Sequence, residues 1–313
     1  MNSQNPSQEH LQFIINLFTQ GQLHQALSEA TQMLERFPNS VILYNIAGAC
    51  NAGLMEFNAA ISSYKKAIKI KPDYAEAYYN MSVALNDKGD LEAAIENYKQ
   101  ALKIKPDYAQ AYNNMGNALK EIGDLDAAIS SYKQAIKIKP DYADAHNNMG
   151  IALNHKGYLE AAIESYKQAL KLKPDYAQAY NNMGNALKEI GDLDAAISNY
   201  KKAFKIKPDY SQPYYNMGNI LKEKGDLEAA ISSYKQAIKI KPDYAESHCD
   251  LGNALLLLNQ SEQALVSYEK AISLKKDLNP AISGLGNLLL KKGEHSEGLD
   301  KLRQSEGSIL FNI

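Results

Sequence analysis

Side-chain amides dominate the polar chemistry of this sequence, and they recur in register. Asn80, Asn114, Asn148, Asn182 and Asn216 follow one another at intervals of 34 residues, and the next step lands on Asp250. A second row holds Asn117, Asn185, Asn219, Asn253 and Asn287, and a third Asn113, Asn147 and Asn181. Lys120, Lys188 and Lys222 form a fourth. A carboxamide donates through its nitrogen and accepts through its oxygen, so it can bind both halves of a peptide unit. Such rows suit an extended polypeptide gripped by its backbone, with little preference for sequence. Tyr79 and Tyr215 replace the amide in the third row and are candidate aromatic anchors for a ligand.

Other chemistries find little support. His10, His146 and His248 share one position of the period, where aromatic residues otherwise stand, so they read as packing residues. His155 alone falls where it can face a groove. No two His or Cys have a metal-site spacing. No nucleophile lies beside a base, and no glycine-rich phosphate loop occurs. We therefore expect no catalytic residue, no metal and no cofactor, and not an enzyme. Lys plus Arg number 34 against 36 Asp plus Glu, a net charge of −2. Phosphate binding needs a basic surplus, so nucleic acid is not an expected partner. Cys50 and Cys249 lie too far apart in sequence to suggest a disulfide framework and fit a reducing compartment. Met1 to His10 carries no basic n-region and the apolar stretch Leu11 to Phe18 is short, so no signal peptide is expected, and no apolar run reaches membrane-spanning length. We expect a cytoplasmic chain with no membrane insertion.

The amide rows follow from a repeat that governs the whole chain. The motif Lys-Pro-Asp-Tyr places its proline at Pro72, Pro106, Pro140, Pro174, Pro208 and Pro242, at the same interval. With that proline in slot 32, units begin at Ser7, Val41, Ala75, Ala109, Ala143, Ala177, Ser211, Ala245 and Asn279. They fill residues 7–312 after an N-terminal extension of residues 1–6, leaving no room for a separate catalytic domain. Slots 4, 7, 8 and 11 share one helix face, as do 17, 20, 24 and 27, so each unit reads as two amphipathic helices, A and B. Glycine in slot 15 can take the left-handed conformation that ends helix A, and Asp in slot 16 can cap helix B. The Asp after each proline, with Gln or Glu three residues on (Asp107 with Gln110, Asp175 with Gln178, Asp243 with Glu246), predicts a capping box for the next helix A.

In the unit from Ala109 these slots hold Tyr112, Met115, Gly116, Leu119, Ala128, Tyr132, Ala135 and Pro140. That pattern is identified as the 34-residue tetratricopeptide repeat. The resemblance implies an all-α fold, a right-handed α-α superhelix of about nine helix–turn–helix repeats, and a non-catalytic scaffold or adaptor whose partners are other proteins or peptides. It also implies that helix A lines a concave face, with slots 2, 5, 6, 9, 12 and 13 tending inward. Some family members grip a C-terminal carboxylate with Lys or Arg in slots 2, 5 and 6. Here the central units carry Glu, Gln or Asn, so that clamp is not expected.

Units reading Ala-Tyr-Asn-Asn-Met-Gly-Asn-Ala-Leu-Lys-Glu resemble the arm of the O-GlcNAc transferase family, without its catalytic domain. Two readings of slot 6 stay open: contact with a ligand, or a bond to the preceding repeat. Slots 5 and 9 are expected to be exposed for contact. Two alternatives accompany the scaffold reading: a substrate-recruiting arm for a transferase acting in trans, and a self-assembling solenoid joined through the apolar C-terminus, Ile309–Ile313. The last unit, with Gly298, Leu302 and Ser305 in slots 20, 24 and 27, is degenerate and expected to act as a cap.

Overall fold

The computed structural model describes residues 6–306, and these contain eighteen α-helices and no strand. The apolar segment Ile309–Ile313 lies outside the described residues. The chain divides into two compact units, Met1–Tyr158 and Leu159–Ile313. The first holds α1 (Gln8–Thr19), α2 (Leu23–Arg36), α3 (Val41–Gly53), α4 (Phe57–Ile70), α5 (Ala75–Lys88), α6 (Leu91–Ile104), α7 (Ala109–Glu121), α8 (Leu125–Ile138) and α9 (Ala143–His155). The second holds α10 (Leu159–Leu172), α11 (Ala177–Glu189), α12 (Leu193–Ile206), α13 (Ser211–Glu223), α14 (Leu227–Ile240), α15 (Ala245–Leu257), α16 (Ser261–Leu274), α17 (Asn279–Lys292) and α18 (His295–Glu306). Odd helices are the A helices and even ones the B helices.

Within each unit, consecutive helices pack on one another, and each A helix also touches the next A helix. Within a unit, no Cα of one B helix comes within 8 Å of the next B helix among the described residues. The A row is therefore the tighter, inner row of each unit. Small residues make this possible. Ala94, Ala128, Ala196 and Ala230 in slot 20, and Ala101, Ala135, Ala203 and Ala237 in slot 27, have no exposed surface. The space around them is filled by the slot-24 tyrosines, of which Tyr132, Tyr200 and Tyr234 are wholly buried. Each such ring contributes roughly 2–3 kcal/mol by area.

The turns show which capping signals are real. Asp124, Asp192 and Asp226 accept from the backbone N–H three residues on, at 3.1, 3.1 and 3.2 Å. Asp90 makes no such bond. The capping box expected after each proline does not form. Helix A starts one residue later, on Tyr108, Tyr176 or Tyr244 as N-cap, and none of these side chains caps it. The loop is closed by backbone instead: the Tyr108 N–H donates to the Lys105 carbonyl at 3.3 Å, which leaves the Asp outside the helix.

The helix A to helix B turn needs a left-handed residue. The slot-15 glycines all have positive φ, from 76° at Gly21 and Gly157 to 90° at Gly89. Two side-chain residues are forced into the same conformation, Met55 at φ 62° and Asn259 at φ 58°. Asn tolerates it; Met does not. Met55 is 79% exposed and packs on little. Met55→Gly should therefore stabilise by about 1 kcal/mol, read as a higher Tm in thermal unfolding. An unchanged or lower Tm would show that the Met side chain contributes more than its strain costs.

Candidate functional site

The inner A face is the surface that the sequence points to, and its amides are already engaged with one another. In slot 6, the Asn80 amide donates to Asn45 Oδ1 at 3.0 Å, Asn114 to the Tyr79 hydroxyl at 3.1 Å, and Asn148 to Asn113 Oδ1 at 3.1 Å. In the second unit Asn216 donates to both Asn181 Oδ1 (3.1 Å) and Asn185 Oδ1 (3.0 Å). Each bond runs from one A helix to the preceding one. Asn113 and Asn147 in turn donate to the slot-6 oxygens beside them, Asn114 at 3.2 Å and Asn148 at 3.4 Å. The first unit thus carries a relay, Asn147 to Asn148 to Asn113 to Asn114 to Tyr79, with every dipole pointing the same way. Bonds in such a chain polarise one another.

Slot 9 has a second duty. The buried hydroxyls of Tyr132, Tyr200, Tyr234 and Tyr268 donate to Asn117, Asn185, Asn219 and Asn253, each at 2.8 Å. A buried phenol without an acceptor costs about 1–3 kcal/mol, so these asparagines support the core. The one signal of this pairing in the sequence is that slot-9 Asn and slot-24 Tyr recur together at a fixed separation. Where slot 9 is Val83, Tyr98 has no asparagine there to donate to.

The expected exposure of slot 5 is not what the structure shows. Asn113, Asn147 and Asn181 are 4, 3 and 4% exposed; over Asn113 and Asn181 the next A helix closes that edge, with Asn148 and Asn216 bonded to them. Asn80, Asn114, Asn148, Asn182 and Asn216 are half-buried, as are Asn117, Asn185, Asn219 and Asn253. Lys188 is exposed and Lys120 half-exposed. Tyr79 and Tyr215 lie half-buried, their rings tilted against Tyr108 and Tyr244 with centroids 4.8 and 5.0 Å apart. Slot 2 brings further amides to this face: the Gln212 nitrogen donates to Asn216 Oδ1 at 3.0 Å, and its oxygen accepts from Tyr244 at 2.8 Å. Gln110 and Gln178, equivalent to Gln212, are exposed.

In the second unit the neutral rows end on a charged knot. Asp250 accepts from the Tyr215 hydroxyl at 2.9 Å, the Lys222 ammonium at 2.6 Å and Asn253 at 3.4 Å. Both charges keep some solvent contact, at 28% for Lys222 and 19% for Asp250. No group of three or more His, Cys, Asp or Glu fit to hold a metal occurs among the described residues. No helix of the described residues is long and apolar enough to cross a membrane.

Burial also sets the protonation chemistry. The slot-24 phenols are held well above their ordinary value of 10.0 by loss of solvent. Desolvation, helped by the Tyr79 and Glu76 charges, pushes Tyr108 up to about 12, and Tyr244 is likewise pushed to about 12. A folded pKa above the unfolded one gives stability that is whole below pH 10 and is lost as pH rises through the folded values. Tyrosinate absorbance at 295 nm should therefore lag in the native chain between pH 10 and 12 and jump on unfolding. A smooth titration at pH 10 would contradict these burials. Burial likewise raises the Cys50 and Cys249 thiols to about 11, which keeps both unreactive at neutral pH.

Comparisons with known proteins agree with this architecture. The family model "TPR repeat" matches residues 56–86, 83–123, 116–157, 152–191, 184–225 and 218–259, and "Tetratricopeptide repeat" matches 245–278. Over 76 residues, 24% of this chain, the sequence is 32% identical to the probable UDP-N-acetylglucosamine–peptide N-acetylglucosaminyltransferase SEC of Arabidopsis thaliana. The match spans only 8% of that protein. Among solved structures, MamA is 30% identical with a TM-score of 0.50, over 54% of this chain and 92% of that one. The APC/C hetero-tetramer Cut9–Hcn1 has a TM-score of 0.62 at 16% identity, over 85% of this chain and 52% of its own, a likeness of fold alone. With family matches running from residue 56 to residue 278 and A and B helices alternating in register with them, the chain belongs to the tetratricopeptide-repeat family.

Proposed function

We propose that this chain is a non-catalytic scaffold that holds extended polypeptide segments on its inner A face, in the cytoplasm. The observation that carries this reading is the half-exposed rows of slots 6 and 9, whose amides are fixed in place by Tyr and Asn partners. A ligand backbone meets oriented dipoles and pays little to order them. Slots 6 and 9 are uncharged along most of their length, so they offer backbone recognition over sequence recognition. Slot 5 supplies support from beneath. The contact residues of this reading are Asn80, Asn114, Asn117, Lys120, Asn148, Asn182, Asn185, Lys188, Asn216 and Asn219, joined by Gln110 and Gln178.

The test leaves the structural amides alone. Gln110, Lys120, Gln178 and Lys188 all reach solvent, and such positions tolerate alanine within about 0.5 kcal/mol. The fourfold alanine variant should lose captured polypeptides that the wild type retains from a lysate of the source organism. A control with Lys133→Ala and Lys167→Ala on the B helices should keep them. Retention by the fourfold variant and loss by the control would move binding to the outer face.

The match to a peptide-modifying transferase favours a second reading, in which the array recruits substrates for such an enzyme acting in trans. Sugar-transfer activity in the captured fraction, absent from the protein alone, separates the two.

A further inference from the structure

One contact inside the chain shows what a lysine in slot 12 seeks. The Lys222 ammonium reaches the next A helix and donates to Asp250 Oδ1 at 2.6 Å. Asp250 stands in slot 6, where the other central repeats have asparagine. Lys120 and Lys188 occupy slot 12 in the same local sequence, Leu-Lys-Glu, so the glutamate that follows each lysine does not set them apart. What differs is slot 6 of the next A helix, Asn148 for Lys120 and Asn216 for Lys188.

Those two amides are already committed to other amides. Asn148 donates to Asn113, and its oxygen accepts from Asn147. Asn216 donates to Asn181 and Asn185, and its oxygen accepts from Gln212. A neutral amide oxygen also holds an ammonium far less strongly than a carboxylate does. Lys120 and Lys188 accordingly enter no ion pair or hydrogen bond among the described residues. Lys188 stays exposed, whereas Lys222, drawn onto Asp250, keeps 28% of its side-chain surface. One such ammonium thus stands on the A face of each unit without the counter-charge that the chain supplies to Lys222. Its position separates it from an ordinary surface lysine. Slot 12 adjoins slots 6 and 9 of the next A helix, as Lys222 adjoins Asp250 and Asp250 bonds Asn253. A polypeptide held by those amides passes its side chains within reach of the ammonium.

We propose that Lys120 and Lys188 each seat an aspartate or glutamate side chain of the bound polypeptide, as Lys222 seats Asp250, so that the A face selects acidic segments and fixes their register. This selectivity rests on the peptide-scaffold reading and adds the chemistry of the ligand to it. The amide rows hold the backbone whatever its sequence, and the lysines read one side chain. Asp250 silences the third lysine, so a segment crossing α11, α13 and α15 meets one open ammonium instead of two.

The experiment probes an array of short random-sequence peptides with the full chain at physiological salt. The peptides are tethered through their C-termini, so no terminal carboxylate is free and any acidic preference comes from side chains. The wild type should retain peptides enriched in Asp or Glu at one position. Replacing that acid by its amide in a retained peptide should weaken binding about fivefold in fluorescence anisotropy, the scale of an exposed ion pair. The double variant Lys120→Glu, Lys188→Glu should lose the preference and enrich Lys or Arg there instead. Asp250→Asn should gain a second acidic position about three residues from the first, because it frees Lys222 one A helix away, about 9 Å. Circular dichroism checks that both variants keep their helix content. If Asp250→Asn fails to fold, the double variant, altered only where side chains reach solvent, decides alone. Peptides retained without an acidic preference overturn the proposal and leave the scaffold reading standing. So does a preference that the double variant keeps, or a folded Asp250→Asn that gains no second position. Retention of no peptide by the wild type overturns the scaffold reading, and this selectivity falls with it.

Discussion

Truncating Tyr234 to alanine is expected to cost about 4 kcal/mol, the range of a large buried aromatic removed from a packed core. The ring is wholly buried, lying between Gly218 of its own repeat and the helices around it. Its loss removes the apolar contact and leaves a cavity that the closely spaced alanines cannot fill. It also strips Asn219 of the 2.8 Å bond from the hydroxyl. Tyr234→Phe separates the two contributions. It keeps the ring and removes only the hydroxyl, and should cost about 1 kcal/mol. Repeat arrays open locally, so the measurement is amide exchange in α13 and α14 alongside denaturant unfolding. Protection lost mainly in those helices fits nearest-neighbour coupling. Equal costs for Phe and Ala would mean that the hydrogen bond, not packing, holds the ring.

Much of this fold was legible because the period is written in the residues that geometry constrains most. Slot-15 glycine marks a left-handed turn, slot-20 and slot-27 alanines mark close helix approach, and the slot-24 tyrosines mark the space between. The site was less legible. Helical periodicity places slots 5, 6 and 9 near one face, but it does not say which edge the neighbouring A helix will cover. That cover buries Asn113 and Asn181 and leaves the adjacent slot 6 half-open. The role of slot 9 escaped helical periodicity because its partner, the slot-24 tyrosine, stands on the other helix of the repeat. The capping box failed for a local reason: the loop closes through backbone at Lys105 and Tyr108, so Asp107 has no helix end to cap.

Gly116→Ser is expected to destabilise by about 2 kcal/mol on its own, an overpacking cost, and by much less when Asn117→Val accompanies it. A Cβ on Gly116 would lie 2.6 Å from Cε1 of Tyr132 and 2.9 Å from Cδ1 and Cζ. The ring cannot swing aside, because its hydroxyl is tied to Asn117 at 2.8 Å. Helix α7 must then move off α8, and such backbone shifts cost about 1–3 kcal/mol. The better helix propensity of serine offsets only a few tenths. Gly123 provides the contrast: nothing lies within 4 Å of its Cβ position, and its φ of 85° alone resists substitution. The chain itself contains the compensated pair. In α5 slot 8 is Ser82 and slot 9 is Val83. There Tyr98 remains buried at 1% exposure, and no asparagine stands in slot 9 to hold its hydroxyl. A residue that crowds the ring is accommodated where the tether in slot 9 is absent. Asn117→Val should free the Tyr132 hydroxyl in the same way. Denaturant unfolding of the two single variants and the double variant forms a cycle. Costs that fall short of additivity by at least about 1 kcal/mol are the expected result for residues sharing one partner. Strict additivity would mean that the tether does not hold the ring, and that the pairing of Ser82 with Val83 needs another cause.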